Sequence, residues 1–580
     1  MQIATSVRSS LSCLSLAGLL GVAGGAGAQQ VPDAGVLQQQ IDRDRRVPLP
    51  ALGPAPKPPA PGDKPVVSGP TVTVKRFEYE GNTLLSAERL DAAVASYLNR
   101  PLSFAELQAA AAAVAEVYRA EGWTVRTLLP KQDLSGGSVK IEIIEAISGE
   151  IRINRAEPTP ELRASGVDEL RVSLARIRAI AARALPPGQP VSNQAIDRAL
   201  LLLEDLPGIS VQGSLVAGRG DRETDLVLII DNKPLLSGDA RTDNTGSLST
   251  GRQRYTGNLA LASPSGNADL LALNLLHTEG SNYGRLAYTL PLGYDGWTAG
   301  VNASDMRYQV IPADFAALVA RGSSGTAGLE ANYPLWRSRL TNLLLNLAVD
   351  HKNFNNLSGG EVTTHYRITT VTATLNANVS DSVGGGGRSS ASLGMTQGKV
   401  DLAASPNFAA DAATTRTNGR FVKLRYSLSR QQLVSETISM NANLSGQLAG
   451  KNLDSGEKFY LGGSSGVRAY PSSEGGGSDG QMLNLEANLS LPLNLKSVFF
   501  YDWGHVRVNR DNDFDGAPAL NSLSLRGAGV SFAWDDGKGL SARLTWARRI
   551  GDNPNPTAAG KDQDGTLIKN RIWLTAGYAL

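Results

Sequence analysis

Leu483-Asn484-Leu485-Glu486-Ala487-Asn488-Leu489-Ser490-Leu491 decides the fold. Odd positions are apolar and even positions polar, the period of a strand with one apolar face and one wet face. The pattern recurs. Val422, Leu424, Tyr426 and Leu428 oppose Lys423, Arg425 and Ser427. Met440, Ala442, Leu444 and Leu448 oppose Asn441, Asn443, Ser445 and Gln447, and Ile572, Leu574, Ala576, Tyr578 and Leu580 oppose Arg571, Trp573, Thr575 and Gly577. From Lys233 onward, such runs of about ten residues alternate with Gly/Asn/Asp/Ser turns, the signature of a transmembrane β-barrel. A soluble β-sandwich also alternates, but its strands are shorter.

Composition agrees. Gly is 62 of 580 residues, above the usual ~7%, and charged residues are 19%, below the usual ~25%. A net charge of +2 lacks the basic excess of a nucleic-acid binder. The single cysteine, Cys13, excludes a disulfide framework and a thiolate metal site. The histidines His277, His351, His365 and His505 have no metal-ligand spacing, and Gly462-Gly463-Ser464-Ser465-Gly466 lacks the Gly-Lys-Ser/Thr of a phosphate loop. Neither a catalytic site, a metal nor a cofactor is expected. The 348 residues of 233–580 allow about 22 residues per strand and connection if there are 16 strands, and 14 or 18 fit nearly as well.

Upstream, the chain changes character. Arg8, the apolar run Leu11–Val22 and Ala26-Gly27-Ala28-Gln29 read as a secretory signal over residues 1–28. Residues 29–46 contain a short polar helix, Val31–Arg46, too small to stand alone. Nine prolines between Pro48 and Pro70 make 47–71 an extended tether. A helix on such a tether reads either as a movable element or as a disordered leader, and composition alone favours neither.

Residues 72–148 alternate strand and helix. One strand is expected through Val72, Val74 and Phe77, then a helix capped by Ser86. Ser103 and Glu106 form a capping box for a second helix, which Gly122 ends, and strands follow at Val125–Leu129 and Val139–Ile144. Residues 149–232 repeat this α+β unit, with a strand at Ile151–Ile153, helices near Val167–Ala184 and Asn193–Leu206, and strands Ser210–Val216 and Asp225–Ile230.

A family resemblance rests on four stretches. Phe77-x-Tyr79-x-Gly81-Asn82, Tyr118-Arg119-Ala120-Glu121-Gly122-Trp123 and Leu129-Pro130-Lys131-Gln132 resemble the polypeptide-transport-associated (POTRA) domain of two-partner secretion transporters. The run from Leu200 through Leu206-Pro207-Gly208 resembles the helix end of their second such domain. Val467-Arg468-Ala469-Tyr470 is similar to the V-R-G-Y/F motif of the Omp85 superfamily, with Ala469 in place of Gly. Phe500-Tyr501-Asp502-Trp503-Gly504 is similar to its F-x-D-x-G strand motif.

The resemblance covers nearly the whole mature chain. It implies a 16-stranded outer-membrane barrel, two periplasmic POTRA domains and an N-terminal plug helix. The implied work is passing an unfolded, secreted TpsA-type exoprotein to the cell surface: an adhesin, haemolysin, toxin or haem-binding protein. ATP is unavailable outside the inner membrane. The alternative within the superfamily is a barrel-assembly factor, but such factors usually carry more than two periplasmic repeats and no plug. Partner recognition is expected to involve Tyr118, Gly122, Pro130, Gln132, Leu206, Pro207 and Gly208.

Parity gives the barrel motifs a physical reading. Phe499, Tyr501 and Trp503 share one face, suited to lipid, so Phe500, Asp502 and Gly504 point into the lumen. A lumenal carboxylate needs a cation, and Arg468 is the candidate. A left-handed turn would strain Ala469 more than Gly.

Overall fold

The computed structural model describes residues 33–44, 71–155, 169–311, 319–557 and 559–580. The expected signal segment and most of the Pro-rich tether lie outside these. Sixteen antiparallel strands close into a barrel, from Leu236–Asp243 to Asn570–Ala579. The first and last strands pair over Asp239–Asp243 and Thr575–Ala579. The alternation behaves as the sequence requires: Leu485, Leu428, Met440, Ile572 and Leu574 are exposed on the outer face. Among the described residues no helix is long and apolar enough to cross a membrane. Here strands cross it, because a closed barrel pairs every backbone group without water.

Two small α+β domains precede the barrel. The first contains β1 (Thr71–Thr73), β2 (Arg76–Glu80), β3 (Pro101–Ser103), β4 (Val125–Leu128) and β5 (Ser138–Glu145), with helices α2 (Ala87–Val94) and α3 (Phe104–Ala120). Its sheet order is β2-β5-β4, with β2 parallel and β4 antiparallel to β5. The strand expected through Val72 and Phe77 is therefore two. β1 pairs with β3 instead, because the amides of Lys75 and Arg76 both turn to the Gly137 carbonyl. Ser86 occupies the N-cap position of α2, but its side chain makes no capping bond. The Ser103–Glu106 capping box is complete. Gly122, at φ +84°, ends α3 in a conformation that favours glycine.

The second domain contains β6 (Ile147–Arg155), β7 (Ile209–Ala217) and β8 (Glu223–Asn232), in the order β6-β8-β7, with helices α4 (Leu174–Ala184) and α5 (Asn193–Glu204). β6 starts two residues before the expected boundary at 149. α4 starts at Leu174, where the Ser173 side chain accepts the Arg176 amide, rather than near Val167, which lies outside the described residues. This domain is tied to the barrel's periplasmic turns. Arg337 grips the Asp205 carboxylate through two bonds of 2.8 Å, and Arg198 donates to the carbonyls of Asp295 (3.0 Å) and Pro334 (3.1 Å).

The helix expected from the N-terminal segment is α1 (Ala34–Asp44), and it lies inside the barrel. Ala34 and Leu37 pack among Tyr283, Met306, Phe354, Tyr366 and Phe421. Strand parity turns those residues inward, opposite exposed Leu286, Val301, Leu347, Val371 and Val422. The polar side of α1 is also engaged. The Ala34 amide donates to Asn356 Oδ1 at 2.9 Å, Gln38 Oε1 accepts from Ser324 Oγ at 2.8 Å, and Asp44 pairs with Arg254 at 2.7 Å.

Candidate functional site: a loop fastened inside the barrel

The loop between strands Ile438–Ala449 and Asp479–Ser490 turns back into the barrel. A short ladder, Phe459–Tyr460 against Gly476–Gly477, makes it a hairpin. Val467, Ala469 and Tyr470 near its tip are buried among Leu461, Met482, Phe500, Val506, Leu523 and Leu525. Burial of an apolar tip explains how a polar lumen holds a loop.

Arg468 is the polar fastening. Its Nη2 donates to Asp502 Oδ1 at 2.7 Å and its Nε to Oδ2 at 2.9 Å, while its own amide donates to Oδ2 at 3.0 Å. Asn484, directly across the ladder from Asp502, adds a bond of 2.8 Å. Nη1 of Arg468 reaches Glu486 at 2.8 Å, its guanidinium stacks 3.5 Å above the Phe500 ring centre, and its carbonyl accepts from Trp573 Nε1 at 2.8 Å. Asp502 is fully buried and receives four donors, so its desolvated charge is compensated. Gly504 leaves room for the loop: a Cβ there would come within 2.6 Å of Leu461 Cδ2.

Asn484, Glu486 and Trp573 were not singled out as site residues in the sequence. The signal for two of them was present, since Asn484 and Glu486 lie on the polar face of the deciding strand. Trp573 sits on the polar parity of the last strand, where its indole N–H finds the loop. Ala469 is not in the left-handed region, which Gly463, Ser473 and Gly475 occupy nearby, so the expected strain at this position is absent.

Two more carboxylates hold the loop. Glu457 meets Lys352 at 3.0 Å and also Lys423, and Glu474 accepts from Asn553 Nδ2 and the Gln563 amide, each at 2.9 Å. The inner helix is part of the same assembly. Arg43 donates to the carbonyls of Tyr460 (3.0 Å) and Gly462 (2.9 Å), and Asp33 and Asp44 accept from Ser455 and Ser465, each at 3.0 Å.

The residues expected to recognise a partner have other work. Tyr118 is buried and donates to Glu145 at 2.9 Å, and Leu206 belongs to the second domain's core. Buried side chains cannot touch an incoming chain. Gly122 ends a helix, and Gly208, at φ +93°, sits against Ser263 in a periplasmic turn of the barrel. Gln132 makes two bonds to the Lys140 backbone, at 2.6 and 2.8 Å, bracing the loop that contains Pro130. Pro207 lies between Leu206 and Gly208 in the turn that leads from α5 into β7. Tyr118, Leu206 and Gly208 are buried, while Gly122, Pro130, Gln132 and Pro207 are partly exposed.

A barrel with a pinned loop, a helix inside it and two periplasmic α+β domains has counterparts among known proteins. Residues 222–532 match the haemolysin secretion/activation protein family ShlB/FhaC/HecB, and residues 72–146 match its POTRA domain. The chain belongs to that family. It is an outer-membrane transporter with periplasmic POTRA domains. The family is one of transporters, not an enzyme class. The heme/hemopexin transporter protein HuxB of Haemophilus influenzae is 23% identical over 491 residues, covering 83% of this chain and 82% of HuxB. The outer membrane transporter CdiB of Dickeya dadantii is 24% identical over 465 residues, covering 78% of this chain and 79% of CdiB. The solved structure of CdiB from Escherichia coli superposes with a TM-score of 0.68 at 21% identity, covering 95% of this chain and 99% of that one. That likeness concerns the fold.

Proposed function

We propose that this transporter captures an unfolded exoprotein in the periplasm through residues 72–232 and threads it through the barrel to the cell surface without ATP. The observation that carries this reading is a pore filled by two separately tethered pieces of its own chain. Helix α1 and the loop of residues 450–478 both occupy the lumen through side-chain contacts, with no covalent block. Such contacts can be exchanged for those of a passing polypeptide. The Arg468–Asp502 contact is the fastening of the loop, and α1 is the plug that leaves during transport. The domain division at 72–148, 149–232 and 233–580 assigns capture to the first two units and passage to the third.

The experiment is calorimetry. Fragment 72–232 is mixed with the N-terminal fragment of a candidate exoprotein taken from a neighbouring gene. Binding in the micromolar range, on the order of −8 kcal/mol, is expected, since the cargo has to be released into the pore. Absence of heat or complex, while the whole transporter still secretes that exoprotein, places recognition in the barrel or plug.

A further inference from the structure

Three barrel strands, Glu361–Asp381, Gly387–Asp401 and Gly419–Leu433, are neighbours in the wall. Toward their ends away from the periplasmic domains they carry Arg367, Lys399 and Arg420, all exposed. Lys399 stands directly across the ladder from Arg420 on one side and from Thr369 on the other, and Arg367 is two residues along from Thr369. Adjacent strands lie about 4.8 Å apart, so the three side chains leave the backbone within roughly 12 Å of one another. Their parity is that of exposed Val371, Met395 and Val422, and opposite to that of buried Ile368, Val400 and Phe421. All three cations therefore point outward, away from the lumen.

Like charges directly opposite on a ladder destabilise it. Among the described residues, neither Lys399 nor Arg420 forms an ion pair, whereas Arg430, on the same parity at the other end of its strand, is matched by Asp381. The carboxylate of Asp401, across from Arg367, accepts the Ala403 amide at 3.2 Å. The periplasmic end of this outer face is thus neutralised by the protein itself, and the opposite end is left positive.

Height completes the argument. Ten residues separate Arg420 from Arg430, about 33 Å along a strand. A tilt of about 40° turns that length into the ~25 Å height of a lipid-facing apolar band. Arg430 and Asp381 mark the periplasmic edge of the band, and the three cations mark its outer edge, at the level of the headgroups. Just below them, Val371, Met395 and Val422 face the acyl chains. We propose that Arg367, Lys399 and Arg420 hold the phosphates of a phosphorylated glycolipid of the outer leaflet, with its acyl chains on Val371, Met395 and Val422. The guanidinium groups can grip phosphate oxygens in pairs, and Lys399 adds a point charge between them. The inner face of the same strand ends, through Tyr366, Ile368, Val400 and Phe421, seats α1. The lipid braces from outside the stretch of wall that holds the helix inside.

The test uses the full-length protein in detergent, with empty micelles as the blank and EDTA present so that no divalent cation bridges the charges. The probe is a fluorescent lipopolysaccharide trimmed to its phosphorylated, acylated end. Its dephosphorylated form and inorganic phosphate serve as competitors. Arg420→Glu sets opposite charges across the ladder, which strand pairing favours, so a loss of binding in it is not a loss of fold. Arg307→Gln removes an exposed arginine from another strand, where Asp305 pairs with it. Saturable binding is expected for the parent and for Arg307→Gln. At least a tenfold loss is expected for Arg420→Glu and for Lys399→Gln combined with Arg420→Gln. The dephosphorylated glycolipid should compete at least tenfold less well than the phosphorylated one, and inorganic phosphate at the same concentration should not compete. Equal binding by the parent and both site variants, or equal competition by the dephosphorylated form, would overturn the site. Displacement by inorganic phosphate alone would assign the cluster to a free anion, which also overturns it.

Discussion

Arg468 reaches from a loop of the barrel to Asp502 on its wall, 34 residues away in sequence, and holds both carboxylate oxygens, at 2.7 and 2.9 Å. Two parallel N–H donors fix the angle of the guanidinium as well as its distance. Phe500 beneath it and Asn484 beside it leave the carboxylate dry and fully bonded.

Removing one member strands the other. Arg468→Ala is expected to loosen the loop by ~3–5 kcal/mol where burial is complete, and by less in a wet lumen. Arg468→Lys keeps the charge but loses the fork, so it should restore little. Secreted exoprotein should fall while heat-modifiable mobility shows an inserted barrel. Full secretion by Arg468→Ala would remove the loop fastening from the account.

The methyl of Ala469 packs where Gly527 has none, and a Cβ at 527 would stand 2.6 Å from Ala469 Cβ. Gly527→Ala should destabilise the docked loop by ~1–3 kcal/mol. Adding Ala469→Gly should restore most of that loss, a coupling that thermal unfolding of the four chains would measure. Additive effects would mean that the two positions do not meet.

Gly35 brings α1 against the loop. An added Cβ would lie 2.6 Å from Ser455 Oγ and 2.8 Å from the Gly456 amide nitrogen. Gly35→Leu should expel α1 and raise conductance in planar bilayers toward that of a chain lacking residues 29–46. A deletion with parental conductance would show that α1 does not obstruct the pore.

Glu145 contributes to the acid stability of the first periplasmic domain. Burial works to raise its carboxyl, but donors outweigh it: the Thr83 hydroxyl, the amides of Leu84 (2.8 Å) and Thr83 (2.7 Å), and Tyr118 (2.9 Å). The group is held below the ordinary Glu value. Its stabilisation is therefore present above the unfolded pKa of ~4.3 and lost as pH falls through the depressed folded value. Glu145→Gln should cost about 1–3 kcal/mol at neutral pH and flatten the acid dependence. Fragment 72–232 has one tryptophan, Trp123, whose fluorescence reports the transition. An unchanged acid midpoint in Glu145→Gln would exclude this role.

Alternation made the barrel legible, because period two follows from having lipid on one side and water on the other. It also made the inward direction of Asp502 legible. Strand number was not, since 348 residues divide almost as well by 14 or 18; closure of Asp239–Asp243 on Thr575–Ala579 fixes it at sixteen. The break between β1 and β2 was hidden because Val72, Val74 and Phe77 read as one apolar run, and the carbonyl of distant Gly137 divides it. Trp573 and the aromatic seat of α1 were hidden for the same reason. Contacts between residues hundreds of positions apart depend on how the barrel closes.

The central claim is that this protein exports a partner polypeptide. The most direct measurement co-expresses it with a candidate exoprotein taken from a neighbouring gene, in a host lacking both, and quantifies that exoprotein in the medium and periplasm. The account expects exoprotein outside the cell only when both are present, with periplasmic retention under Arg468→Ala. Equal amounts outside with and without the transporter, or a loss of other outer-membrane barrels with no effect on the exoprotein, would contradict it.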